Sequence, residues 1–198
     1  MAQARTLDEK ELKLLLLYIQ TRKYAERDRA LVAMSYYAGM RVKEIACTKI
    51  GDVLAAYGSI KAELRLGSEQ TKGRHSRTVV LSEKLRKELL AYLQYRFNTK
   101  QLVAVTYTDN MQKPLFNTQK SDGFTANTLC YHFHQLYKQA GLYGASSHSG
   151  RRTFLTTLSS KAVPLRVMMD LAGHRQAQTT MRYCDVTMDM KKAAVELI

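Results

Sequence analysis

At 198 residues the chain is long enough to fill one hydrophobic core and short for two comfortable domains. Apolar residues at 45% and charged residues at 24% exclude general disorder. The charge is lopsided: 31 Lys and Arg against 17 Asp and Glu leave a net +14, the electrostatic footprint of a protein that meets a polyanion.

A membrane protein is not expected, because the longest apolar run, residues 14–19, falls far short of a bilayer span. The opening residues 1–6 carry no apolar core of a secretory signal. Three widely spaced cysteines, Cys47, Cys130 and Cys184, fit a reducing cytoplasm better than a disulfide scaffold.

In chain order, Thr6-Leu-Asp-Glu9 reads as a capping box, in which a hydroxyl and a carboxylate satisfy the orphan amides of a helix start. That helix runs to about residue 20, with Leu12, Leu15, Leu16 and Ile19 on its apolar side. A second helix covers 24–38, Gly39 suits a left-handed cap at its end, and a short helix restarts near Arg41. Between 51 and 81 the texture changes: 53–54, 59–66 and 77–81 predict three short strands, the middle one alternating at period two. The tip between the last two, Gln70-Thr-Lys72-Gly-Arg74-His75, is a basic loop.

Ser82 caps a helix over 83–97, and in the irregular stretch that follows Pro114-Leu-Phe116 is the firm landmark. Thr125 caps a helix to Ala140, closed by Gly141, and another helix covers 150–161. Pro164 opens a helix that ends before Gly173. Short helices carrying Tyr183 and then residues 190–198 finish the chain. The expected fold class is α+β: one mostly helical domain over 1–198 with a small three-stranded antiparallel sheet.

The residues that could do chemistry are scattered. A phosphodiester is anionic and resists attack, so cleaving it takes a nucleophile, charge neutralisation and a proton for the leaving oxygen. Without a metal, neutralisation falls to guanidinium groups, which stay charged and grip two phosphate oxygens at once. Arg41 and Arg151 are the candidates. Glu44 lies three positions after Arg41 on one helical face and can orient it, and His148 lies three before Arg151. Tyr183 is a nucleophile if cations stabilise its phenolate. His174 can donate to a non-bridging oxygen, and Lys72 on its basic loop can protonate the departing oxygen. Cys130-Tyr-His132-Phe-His134 invites a zinc reading, but His132 points away from the face shared by Cys130 and His134, and no second ligand pair is evident. No metal is expected.

In this order the boxes resemble those of the tyrosine recombinases, or phage-integrase family, from about Thr6 to the end of the chain. Ala38-Gly-Met-Arg41-Val-Lys-Glu44 resembles the family's first arginine box, and Thr71-Lys72-Gly its catalytic lysine. His148-Ser-Gly-Arg151 resembles the His-x-x-Arg box, and Leu171-Ala-Gly-His174 with Tyr183 the last box and the nucleophile. The sequence departs from the common pattern at Arg152, where many relatives carry His, at Gly150 in place of Leu, and at Cys184-Asp185.

The resemblance implies a site-specific DNA recombinase that works through a 3′-phosphotyrosyl link with no metal and no cofactor. Its catalytic set is Tyr183, Arg41, Lys72, His148, Arg151 and His174, supported by Glu44, with Lys43, Arg74, Arg152 and Arg175 as DNA contacts. The alternative is a DNA-binding regulator that keeps this fold without turnover. Further expectations are double-stranded DNA as partner, a dimer or tetramer formed through the C-terminal helix, and a nucleoid location in the cytoplasm. The resemblance also leaves room for an accessory DNA-bending protein. Relatives usually carry an N-terminal helical domain, and this sequence starts where their catalytic domain starts, so a catalytic domain without that partner domain is expected.

Overall fold

A computed structural model of the protein describes residues 4–71, 76–184 and 188–196. Lys72 and Arg74, and the last two apolar positions, Leu197 and Ile198, lie outside the described residues. The helices are α1 (Glu9–Gln20), α2 (Ala25–Ala38), α3 (Val42–Cys47), α4 (Ile50–Val53), α5 (Glu83–Phe97), α6 (Val103–Thr106), α7 (Ala126–Gln139), α8 (Ser149–Ser160), α9 (Leu165–Ala172), α10 (Ala177–Met181) and α11 (Met188–Val195). Two strands, β1 (Glu63–Leu66) and β2 (Arg77–Val80), pair antiparallel, with Leu64 opposite Val79. No described helix is long and apolar enough to cross a membrane.

The centre is α2. Ala30, Leu31, Val32, Ala33 and Met34 are all buried in succession, which a helix tolerates only when neighbours cover it on several sides. Those neighbours are α1, α5 and α8. From α5 come Leu85, Leu89, Tyr92 and Leu93, and Tyr92 stacks on Phe116 with ring centres 5.2 Å apart. This gives the landmark Pro114-Leu-Phe116 its role: Leu115 and Phe116 plug the core, joined by Leu102 and by Val105 of the short helix α6, so the stretch is less irregular than expected.

Two expectations are corrected here. The first helix is capped by Asp8, not Thr6: Asp8 accepts from the Glu11 amide at 2.8 Å, and Glu11 accepts from the Asp8 amide at 3.1 Å. The residues before it are tied to α8, with the Leu7 amide donating to Thr153 Oγ1 at 2.8 Å. The third strand is reduced to one bridge between Leu54 and Ile60. Asp52 accepts from the Lys49 amide at 2.8 Å and so winds Ile50–Val53 into a helical turn, which takes Val53 out of the sheet.

Candidate active site

The first arginine box lies where α2 stops. Gly39 closes that helix with φ of 59°, a left-handed conformation that costs a side chain dear. A Cβ at that position would also collide with the Phe154 ring of α8. The chain then turns, and α3 begins with Arg41 just before it. Glu44 is fully buried one turn later. Its carboxylate accepts from the Arg41 amide at 2.7 Å and from Arg41 Nη1 at 3.0 Å.

The other side of the same carboxylate is gripped from 33 residues away. Arg77, the first residue of β2, donates through Nε at 3.1 Å and Nη2 at 2.7 Å, a two-point contact that fixes both planes. Burial alone would raise the Glu44 carboxyl, but the hydrogen bonds and charge of Arg77, then of Arg41, outweigh it and hold the group below its ordinary range. Arg77 Nη1 also donates to the Leu171 carbonyl at 2.6 Å, crossing Gly173 so closely that a Cβ there would lie 2.5 Å from Arg77 Cδ. Hairpin, first box and last box are thereby tied at one point.

Arg151 enters on the first turn of α8 and is 4% exposed. It donates from Nη1 to the Gly39 carbonyl, and from Nη2 to the Ala172 carbonyl at 2.8 Å. These carbonyls close α2 and α9, so two helix C-termini, each carrying partial negative charge, face one guanidinium. Burial, then the charges of Arg41 and Arg77, push Arg151 below its ordinary value, with Glu44 and Tyr183 pulling the other way.

His174 follows the left-handed Gly173 that caps α9. Its Nε2 lies 2.9 Å from Arg151 Nη2, and its Nδ1 lies 2.9 Å from the hydroxyl of fully buried Thr180. Burial first, then the charges of Arg151, Arg41 and Arg77, hold its imidazole down at about 4. Tyr183 does not sit on a helix as expected: α10 stops at Met181, and a turn places the Tyr183 amide on the Thr180 carbonyl at 2.9 Å. The turn lays the phenol ring nearly parallel to His174, centres 6.0 Å apart, with the Arg152 guanidinium 5.7 Å from the centre of the Tyr183 ring.

Of the residues expected in the site, Arg41, Glu44, Arg151, His174 and Tyr183 therefore come together. His148 stands exposed at the residue before α8, its Nδ1 3.3 Å from Ser147 Oγ. Lys43 donates to the Glu69 carbonyl at 3.0 Å, at the base of the loop that carries Lys72. Arg175 is exposed beside His174 and lines a groove of about 570 Å³ together with Arg65, Arg77, Arg166 and Asp170. Arg77 and Thr180 were not singled out from the sequence. Arg77 did leave a signal, since it shares the inward register of β2 with buried Val79, an unusual place for an unpaired arginine. Among the described residues no group of three His, Cys, Asp or Glu side chains could hold a metal. His132 is engaged elsewhere, with Nε2 2.9 Å from buried Asp28.

The model of the Phage integrase family matches residues 5–190. The chain is 30% identical over 193 residues to the tyrosine recombinase XerA of Thermococcus kodakarensis, covering 97% of this chain and 62% of that protein. It is 30% identical over 161 residues to the tyrosine recombinase XerC of Rhodospirillum centenum, covering 81% and 42%. A crystal structure of XerA recombinase superposes with a TM-score of 0.75 at 25% identity, covering all of this chain and 66% of that one. The Tn1549 transposon integrase in complex with transposon right-end DNA shares the fold, with a TM-score of 0.73 at 18% identity. The chain thus spans less than two thirds of the length of these curated relatives.

Proposed function

Because this chain belongs to the phage integrase family, we propose that it is the catalytic domain of a site-specific DNA recombinase that breaks and rejoins strands through a tyrosyl intermediate. The observation that carries the reading is the convergence of Arg41, Arg77, Arg151 and His174 beside the phenol of Tyr183. In this reading Arg41 and Arg151 bind the non-bridging oxygens of the scissile phosphate, and His174 supports one of them. The Tyr183 oxygen, its proton passed to solvent, attacks phosphorus as the bond to the 5′-oxygen breaks. Lys72 delivers the proton that the departing 5′-oxygen needs, with His148 as a second proton-handling group at the rim. The reverse step, attack by a 5′-hydroxyl, releases Tyr183 and seals the strand. Glu44 touches no substrate here; it aims Arg41 and keeps Arg77 in place.

Double-stranded DNA is the proposed partner. The Tn1549 transposon integrase that shares the fold is in complex with transposon right-end DNA, and the net charge of +14 suits a polyanion. The groove lined by Arg65, Arg166 and Arg175 beside His174 supplies basic surface for it, and Arg152 and Lys43 are further contacts in this reading. Exposed Met188 and Val195 on α11 fit a helix that completes its packing on a second copy, giving a dimer or tetramer on DNA. Such a protein would act at the nucleoid.

The test is a nicked duplex library, cut so that the released strand diffuses away, incubated in EDTA and resolved on a denaturing gel. The wild-type protein is expected to become covalently attached to DNA, and Tyr183→Phe is not. Tight binding without any adduct across the library would instead support a regulator that keeps the fold and lacks turnover.

A further inference from the structure

The two nitrogens of His174 face partners of different kind. A guanidinium can only donate, so at 2.9 Å from Arg151 Nη2 the His174 Nε2 must offer a lone pair. The imidazole is neutral, since burial and the surrounding charges of Arg151, Arg41 and Arg77 outweigh the pull of Glu44. Its single proton is therefore on Nδ1, which donates to Thr180 Oγ1 at 2.9 Å. Thr180 is fully buried, and its hydroxyl, which can accept as well as donate, takes this proton and fixes the ring's orientation, while Arg151 decides which nitrogen carries it. Among the described residues Nδ1 bonds to Thr180 alone, with the phenol of Tyr183 stacked on the ring and Arg175 and Asp170 lining the neighbouring groove.

A histidine protonated in this way accepts a hydrogen bond toward the site and cannot donate one to a phosphate oxygen. We propose that Thr180 is a positioning residue that accepts the Nδ1–H of His174 and holds the ring in place, so that Nε2, facing Arg151, becomes a donor only by taking up one proton when a tetrahedral anion displaces it from Arg151. The balance is simple. Arg151 Nη2 transfers its hydrogen bond from Nε2 to an anion oxygen, and one proton from solvent adds to Nε2. The resulting imidazolium keeps Nδ1–H on Thr180 and points Nε2–H at the anion. When the anion leaves, the proton returns to solvent. This inference deepens the proposed reaction, since it assigns that reaction a linked proton, but its premises are the geometry of the unreacted protein.

Sulfate is a suitable probe, because it is a tetrahedral dianion that does not itself titrate near neutrality. In the full chain labelled with ¹⁵N-histidine at pH 7, His174 is expected to show a protonated-type Nδ1 and an unprotonated-type Nε2. Saturating sulfate is expected to move Nε2 into the protonated range, leave Nδ1 there, and take up one proton per bound anion in buffers of different ionisation enthalpy. Thr180→Ser is expected to protonate with sulfate as wild type does, while the near-isosteric Thr180→Val, which leaves Nδ1–H without its acceptor, is expected to need several-fold more sulfate to protonate Nε2 while keeping the wild-type far-ultraviolet spectrum. A protonated Nε2 in the sulfate-free protein, an Nε2 unmoved by sulfate, or a Thr180→Val protein that protonates Nε2 at the same sulfate concentration as wild type would each overturn the proposal. None of these readouts needs a covalent adduct, so failure here is distinguishable from failure of the recombinase reading.

Discussion

His174 takes up a proton at a cost, and that cost registers in stability. An unfolded histidine titrates near 6.5, whereas in the folded protein burial and three neighbouring arginines hold this one at about 4. Its contribution to stability is therefore complete above about pH 6.5 and is lost as pH falls through 4, because the unfolded chain binds the proton first. The urea midpoint of the wild-type protein should fall across that window, and His174→Gln should flatten the fall. Asp28 and Glu44, both held below the ordinary carboxylate range, act in a separate and lower window: their contribution is present above the usual carboxylate pKa and disappears below it. At this scale the sequence was readable where partners lie close together. Glu44 three positions after Arg41 announced itself by spacing, whereas Arg77, 33 residues away, and Thr180, one hydroxyl among several, depend on a tertiary fold that local pattern does not encode.

Element by element, the helices with strong caps were legible because a cap is a local event: Ser82 and Thr125 start α5 and α7 where their hydroxyls accept from Leu85 and Thr128. The third strand was not, because a four-residue competition at Lys49–Asp52 settled as a helical turn. The end of α2 allows a direct test. Gly39→Ala combines a left-handed backbone that costs a β-carbon roughly 1–2 kcal/mol with a clash against Phe154. The melting temperature should therefore drop by more than the roughly 2–4 °C that 1 kcal/mol represents in a chain of this size. Adduct formation by the folded fraction should fall as well, since the Gly39 carbonyl that receives Arg151 would shift. A variant that melts like wild type would show that α2 and α8 can part without strain.

For the whole molecule, a net charge of +14 predicts DNA affinity that falls steeply with salt. Each phosphate neutralised contributes about 0.9 to the slope of log K against log salt. Removing Arg65 and Arg166 together, neither of which forms an ion pair with a described residue, should reduce that slope by about 1 to 2 while leaving Tyr183 in place. An unchanged slope would place the DNA on another face.

Arg151 is held by peptide oxygens at the ends of α2 and α9, with no carboxylate hydrogen-bonded to it among the described residues. Dipoles cradle a cation without cancelling it, so its full charge stays on offer, and the nearby Arg41 and Arg77 repel it until something negative arrives. A compact dianion relieves that repulsion only in the native state. Heat resistance should therefore climb with sulfate beyond what chloride gives at equal ionic strength, approaching roughly 2.7 kcal/mol at a hundred times its dissociation constant, and Arg151→Gln should forfeit the increment.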